Sequence, residues 1–559
     1  MKAAGRRRRE DRLSNLSDAM LERILSFLPT KEAARAAALS SRWRDTFVGV
    51  DAVSLEAPES PIPDYEDDGC GSPCCTFGVP EDPHPTPPFT TTVTAALLAR
   101  HSAPAPAPPL RSLRVVMNHY RREDVSTVDN WVSYALKNAA RAPAGLELDL
   151  RLRRVPICVH PYTLHVAGTR KRRRSTYAAE EEEANRRLQM SGSDEDSKPD
   201  SDEDSDQERR RSMSHSRVYT VPGRLFSCAA LRSLSIGPCR LSPPAAVSLP
   251  SLERLLLARV SDQERSVQKL LEACPRLADL TLEACGTVTA LYLAGNQRLR
   301  RLALRCCHRL EYVVVDDRLH SLEYRGAVPD TSLLAFRRGR GPKFRSCKIH
   351  ICGEEVSSAK ELAKLGKFLQ LVASTKHLHL HSARLGFGVE HDALATSLPE
   401  FTRLTNLELT GRLPHGDGDA AVAAVSRILR QAPSLEVITL VFHTGPKDDE
   451  SRERCSSEEW KEGELIKANH LRYTEHEVLP SVPAVSIPAC LKKRVREINL
   501  VHYHGGRAQR TLAKFLLCNA QLLDRLYCGF APGSLSIQKK LRDEIQGWAV
   551  NKPENSIFE

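Results

Sequence analysis

Leu231-Arg-Ser-Leu234-Ser-Ile236, Leu252-Glu-Arg-Leu255-Leu-Leu257, Leu277-Ala-Asp-Leu280-Thr-Leu282, Leu299-Arg-Arg-Leu302-Ala-Leu304 and Leu319-His-Ser-Leu322 repeat one short pattern. Their first leucines stand 21, 25, 22 and 20 positions apart. The alternation predicts a strand that points every second residue inward. A unit this short cannot close a core alone, so successive units must stack and share one.

The pattern extends in both directions. Leu110-Arg-Ser-Leu113-Arg-Val115 and Leu146-Glu-Leu148-Asp-Leu150 precede it, and Val53-Ser-Leu55 is the first strand of the series. Leu378-His-Leu380, Leu404-Thr-Asn-Leu407-Glu-Leu409 and Leu435-Glu-Val-Ile438-Thr-Leu440 follow it. Helices are expected over 125–140, with Val128, Trp131, Val132 and Ala135 on one face, and over 420–429. A period of about 20–29 residues is that of leucine-rich repeats. The competing architecture is a doubly wound α/β domain, which would not need so many equivalent leucine triplets. A repeat array presents one strand face for protein binding. Its outward positions include Arg254, Asp279, Glu283, Arg301, Arg305, Glu323 and Arg325, each of which also suits an ordinary solvated face.

Beyond the repeats lies a compact β-α-β-α unit. Arg496-Glu-Ile498-Asn-Leu500-Val-His502-Tyr503 alternates as a strand and Gly505-Gly506 interrupts it. Leu512, Phe515 and Leu516 take helical spacing, Leu526-Tyr-Cys528 reads as the next strand, and Ile537, Leu541, Ile545 and Trp548 form one stripe of a last helix. Such a unit suits the open end of a repeat stack.

Before the repeats, residues 11–47 read as three short helices. Leu21, Ile24, Leu25 and Leu28 share a face, with Ser17 as N-cap and Asp18 in the first turn. Pro29 stops that helix. Thr30 can cap a second helix, whose inner face is Ala33, Ala34, Ala37 and Ala38, and Ser40 or Ser41 can cap a third that carries Trp43. About forty residues make a poor core, so this segment is expected to complete itself on a partner. The alternative is a plain three-helix cap with these residues in its own core.

The order Leu16-Ser17-Asp18, Ile24-Leu25-Ser26-Phe27-Leu28-Pro29, Glu32-Ala33-Ala34-Arg35, Leu39-Ser40-Ser41-Arg42-Trp43-Arg44 resembles an F-box. With the repeats and the sequence CLKKRVREINLVHYHGG…LAKFLLCNAQLLDRL, the chain resembles the plant F-box proteins that carry leucine-rich repeats and a C-terminal FBD domain. The resemblance implies an α/β solenoid. A basic tail (1–10) and a three-helix F-box (11–50) would precede an irregular leucine-rich-repeat solenoid (51–480) with disordered insertions at 57–90 and 165–217. An FBD domain (484–550) would follow as an α/β cap. It also implies a non-catalytic substrate receptor of a Skp–cullin–F-box ubiquitin ligase, with a Skp-type adaptor, through it a cullin–RING ligase, and a target protein as partners. Carried over residue by residue, the adaptor contacts would be Leu16, Leu28, Pro29, Leu39, Ser40 and Trp43. Ser17 stands where the family usually has proline, which removes one apolar adaptor contact.

The remaining composition narrows the function. In 559 residues with a formal net charge of +11, no apolar run reaches the roughly eighteen residues of a membrane span. MKAAGRRRRE has no apolar segment behind its charges, which argues against secretion, and the 16 cysteines lack framework spacing. Cys70, Cys74 and Cys75 lack a fitting second pair for a metal cluster, and Cys306-Cys307-His308 reads as buried residues after a strand. No metal or cofactor is expected, and no nucleophile elbow, P-loop or metalloprotease motif appears.

Residues 165–217 alternate basic and acidic blocks. Arg170, Lys171, Arg172, Arg173 and Arg174 fit a nuclear import signal, so a nuclear, cytoplasmic or shared location is expected. Ser193, Ser197, Ser201 and Ser205 sit among carboxylates and fit an acid-directed kinase. The competing functional readings are an F-box scaffold that delivers no substrate and a nucleic-acid binder. The latter is disfavoured, because acidic blocks adjoin the basic ones and no aromatic stacking platform is present.

Overall fold

A computed structural model describes residues 15–58, 88–101, 109–118, 120–139, 145–153, 218–330, 332–337, 344–352, 358–385, 398–413, 418–442, 470–474, 479, 487–551, 553 and 555–559. The chain forms two compact units, Met1–Ile157 with Arg211–Leu299, and Cys158–Arg210 with Arg300–Glu559.

The first unit begins with helices α1 (Asp18–Leu25), α2 (Thr30–Ala37) and α3 (Ser41–Val48). Then come β1 (Ala52–Glu56), α4 (Phe89–His101), β2 (Ser112–Val116), α5 (Val125–Ala139) and β3 (Leu146–Arg151). β4 (Tyr219–Thr220), β5 (Leu231–Gly237), β6 (Cys239–Arg240), β7 (Arg254–Ala258), α6 (Glu264–Glu272), β8 (Asp279–Glu283) and β9 (Ala290–Tyr292) complete it. β1, β2, β3, β5, β7 and β8 pair in that order, all parallel.

The repeat pattern explains the register. Val53, Leu113, Leu148, Leu234, Leu255 and Leu280 are partners from strand to strand, and all are buried. Fully burying one such side chain contributes about 1.5–3 kcal/mol, so a one-residue slip on any strand would expose a whole rung pair. Behind the strands, α5 buries Val128, Trp131, Val132 and Ala135, the face expected of it. The Trp131 indole N–H donates to Thr94 Oγ1 of α4 at 3.0 Å, which fixes the two helices to one another.

The second unit holds β10 (Arg301–Arg305), β11 (Tyr312–Val315), β12 (Ser321–Gly326), β13 (Leu334–Phe336), β14 (Ser346–Ile351), α7 (Ala359–Leu371), β15 (His377–Arg384) and β16 (Asn406–Arg412). α8 (Gly418–Arg430), β17 (Val437–Phe442), α9 (Ala489–Lys493), β18 (Glu497–Tyr503), α10 (Arg507–Asn519), β19 (Arg525–Phe530), α11 (Leu535–Trp548) and β20 (Asn555–Phe558) follow. β10, β12, β14 to β20 pair in that order, again all parallel. β11 pairs β13 separately. An F-box segment followed by stacked parallel strands with helices behind them is consistent with an α/β solenoid.

The β-α-β-α unit at the C-terminus does not stand apart from the repeats before it. β18 pairs β17 from Val437↔Glu497 to Val441↔Val501, so the stack simply continues. β20, which the sequence pattern did not reveal, adds a further parallel strand on β19. Gly505 ends β18 with φ +73°, and a Cβ there would lie 2.6 Å from Leu541 Cδ1. Only glycine accommodates both the left-handed turn and the close approach of α11.

Several local expectations are corrected. Ser17 occupies the N-cap of α1 but its side chain makes no capping bond. Pro29, not Thr30, is the N-cap of α2, and the Thr30 hydroxyl instead accepts the Ser54 N–H of β1 at 2.7 Å. Ala33 and Ala37 are buried, whereas Ala34 and Ala38 face solvent, because the helix buries only a narrow stripe. Helix α4 starts at Phe89, inside the stretch expected to be an insertion to residue 90. The 165–217 insertion lies outside the described residues.

Candidate functional site

Two surfaces carry the features that the sequence singles out. The first is the three-helix segment. Leu25, Ala33 and Val50 form its small core, against which Ala36, Trp43, Phe47 and Ala52 pack. The Ser40 hydroxyl accepts the Trp43 N–H at 3.2 Å, the N-cap that fixes the start of α3. Arg42 ties the segment together, donating to Asp18 Oδ1 at 2.9 Å and to the Leu16 carbonyl.

Around this core the two connections between helices leave apolar side chains in water. Phe27 is 71% exposed, Leu28 38% and Leu39 84%, and Pro29 is exposed as well. Met20, on α1, is 54% exposed. The Arg23 guanidinium lies over the Phe27 ring at 5.0 Å. Of the six expected adaptor contacts, Leu28, Pro29 and Leu39 are therefore open, whereas Leu16, Ser40 and Trp43 are half-buried and hold the helices. Phe27 and Met20 were missed by sequence reasoning. Their positions beside Leu28 and on the polar side of α1 were the available signal.

The second surface is the outward face of the strands, described separately in each unit. In the first unit, Arg254 pairs with Glu147 at 2.6 Å and stays exposed, while Asp279 is half-buried. Glu283 is buried, contrary to its expected outward role, and its carboxylate lies 3.6 Å from Arg151. In the second unit, Arg301 is exposed, and Arg305 and Glu323 form a two-pronged ion pair at 2.8 and 3.0 Å. Arg325 is half-buried beside them, with its Nε enclosed and without a hydrogen-bond acceptor.

The same face continues into residues that sequence reasoning treated only as strand alternation. His350 of β14 and His381 of β15 are register partners, and their rings stack at 3.8 Å with 12° between planes. His379 lies 6.1 Å from His381, and its ring nitrogen is 2.8 Å from Thr410 Oγ1 on β16. Partial burial raises the Glu408 carboxyl above its usual range, with Lys348 opposing the shift. At the start of the same strands, Phe344, Arg345, Lys376, His377, Arg403 and Thr405 line a cavity of about 540 Å³. Among these described lining residues Arg345, Lys376 and Arg403 bring positive charge, a setting that suits an anionic group.

Burial pushes the Cys490 thiol up to about 11 and those of Cys274 and Cys347 to about 12, opposite to the direction a nucleophile needs. Residues 170–174, Ser193, Ser197, Ser201, Ser205 and Cys70, Cys74 and Cys75 lie outside the described residues. No helix among the described residues is long and apolar enough to cross a membrane.

Comparison with known proteins matches the three-helix segment and part of the repeats. Residues 13–51 match the family model of the F-box domain. Residues 209–344 match the one described as FBD-associated F-box protein At5g56370, LRR repeats. The F-box/LRR-repeat protein At2g42720 of Arabidopsis thaliana is 54% identical over 46 residues, 8% of this chain and 10% of that protein. F-box/LRR-repeat protein 25 of the same organism is 32% identical over 90 residues, 16% of this chain and 35% of that protein. The chain thus spans no more than about a third of the length of these two. The FBD-associated F-box protein At5g60610, also from Arabidopsis thaliana, is 25% identical over 313 residues, 54% of this chain and 69% of that protein. An F-box match near the N-terminus is thus followed by a leucine-rich-repeat match of the FBD-associated F-box type, and the relatives this chain resembles carry F-box, leucine-rich-repeat and FBD names.

Proposed function

We propose that this protein is a substrate-recognition subunit of a Skp–cullin–F-box ubiquitin ligase. F-box and leucine-rich-repeat proteins generally serve substrate recognition in such ligases. The observation that carries the reading is the exposed set Phe27, Leu28, Pro29 and Leu39, held by an F-box core too small to cover it. Exposed apolar side chains at both ends of one short helix gain free energy when another surface covers them. A Skp-type adaptor is that partner, with Leu16, Ser40 and Trp43 shaping the F-box from inside.

The strand face chooses the target. Arg254, Asp279, Arg301, Arg305, Glu323 and Arg325 supply charge, and the histidines of β14 and β15 supply flat rings that hydrogen-bond at their edges. The chain contributes no catalytic side chain. It raises ubiquitin transfer by holding a target lysine near a thioester carried by other subunits. Residues 484–550 act as the FBD domain and cover the end of the repeats. Arg170, Lys171, Arg172, Arg173 and Arg174 direct part of the protein to the nucleus, and Ser193, Ser197, Ser201 and Ser205 take phosphate.

The test compares the intact chain with a Leu28→Asp, Leu39→Asp double variant. Both positions are exposed, so circular dichroism is expected to stay unchanged. Only the intact chain is expected to co-purify with a Skp-type adaptor and a cullin. Equal recovery by both proteins would overturn the docking assignment.

A further inference from the structure

Three side chains far apart in the sequence meet at one end of neighbouring strands in the second unit. Cys306 follows β10, His308 stands two residues on, and Cys352 follows β14, with β12 between the two strands. The sulfur atoms of Cys306 and Cys352 and a ring nitrogen of His308 all lie within 4.8 Å of one another. Both thiols are buried and the imidazole faces solvent.

The backbone explains the convergence. The Cys306 N–H donates to the Arg325 carbonyl, and the Cys352 N–H donates to the Gly326 carbonyl at 2.8 Å. The two cysteines are thus tied to consecutive residues of one middle strand. That strand contributes Gly326 at this level, where a Cβ would lie 2.8 Å from the Tyr324 hydroxyl. Cys306 itself has φ +54°, a left-handed break that turns the chain so that His308 follows close by. Arg259 after β7 and Ala284 after β8 make the same break, so it belongs to the repeat and the cluster exploits it.

The donor set decides the ligand class. Two thiolates and one imidazole favour zinc-class ions over magnesium or calcium, which prefer oxygen. Metal–sulfur bonds of about 2.3 Å and metal–nitrogen bonds of about 2.0–2.1 Å in a tetrahedron set the donors roughly 3.5–3.8 Å apart. The present envelope needs only a small contraction to reach that. We propose that Cys306, His308 and Cys352 bind one zinc-class divalent ion, with water at the fourth position on the solvent side. Binding converts each thiol to a thiolate and releases its proton to solvent. The ion would fasten the ends of β10 and β14 across β12.

Cobalt(II) tests this on the full chain, purified and stripped of metal. A single equivalent is expected to give a thiolate-to-cobalt charge-transfer band with tetrahedral ligand-field bands, and zinc is expected to bleach both. Cys306→Ser and Cys352→Ser should each weaken binding by roughly tenfold or more and reduce the charge-transfer band. Cys307→Ser should leave the spectrum unchanged, because that sulfur is engaged with the Arg305 carbonyl at 3.7 Å. His308→Gln changes an exposed side chain, so it reports on binding even if a cysteine variant misfolds; it should weaken cobalt binding with the circular dichroism intact. The absence of a sulfur–cobalt band on the intact chain would overturn the site. So would bands that persist in the Cys306→Ser, Cys352→Ser double variant, or a Cys306–Cys352 disulfide recovered from the protein as isolated.

Discussion

The F-box helices and the C-terminal helix–strand unit start from the same kind of sequence and end in opposite states. Both carry amphipathic helices with leucine and phenylalanine at helical spacing. In the C-terminal unit, α10 buries Leu512, Ala513, Phe515, Leu516 and Leu517 completely, because strands and helices of its own chain surround it. It also carries Arg510, 4% exposed, in a 2.6 Å ion pair with Glu544 of α11. In the F-box, Phe27, Leu28 and Leu39 remain in water. The difference shows that apolar periodicity marks a surface that must be covered, and does not say by which molecule.

Truncations at Phe515, Glu544 and Ser40 put that contrast at risk, in falling order of effect, each read against a control. Phe515→Ala is expected to lower unfolding free energy by about 3–5 kcal/mol, measured by denaturant titration, since it opens a cavity in a full core. Leu39→Ala serves as its counterpart and should cost less than about 0.5 kcal/mol. Similar losses at the two positions would erase the distinction between a covered and an open face. Glu544→Ala strands the enclosed Arg510 charge and is expected to cost about 3 kcal/mol, as breaking one side of a buried pair does. Glu544→Gln keeps a hydrogen-bond acceptor and should recover part of that loss. Smaller than the losses at Phe515 and Glu544 is that of Ser40→Ala, which removes the α3 cap and should cost about 1 kcal/mol. Its thermal midpoint should fall while adaptor capture persists, separating a residue that shapes the F-box from one that touches the partner.

Much of the fold was legible in advance, for a physical reason. The leucine triplets alternate with the pleat, so strands β5, β7, β8, β10 and β12 could be placed before any coordinates. The face of α5 and the Ser40 cap were equally local. Among the elements that escaped notice is β20, which is too short to show alternation and is held as a strand by its pairing with β19.

The candidate sites divide along the same line. The F-box motif identified its segment, within which Trp43 packs on the small core and Phe27 is open. Glu283 sits at an outward strand position, yet it is enclosed and lies beside Arg151. Exposure is a property of neighbours, and these come from other strands.

Sequence alone determined the class of architecture: a short helical segment, a series of leucine-spaced strands and a helix–strand unit after them. Hydrophobic period is set by the geometry of each element and can be read without knowing what it packs against. Tertiary structure alone decided which polar and sulfur-bearing groups meet. His350 faces His381, and Cys306 with His308 reaches Cys352, because parallel strands in register bring residues far apart in sequence to one level.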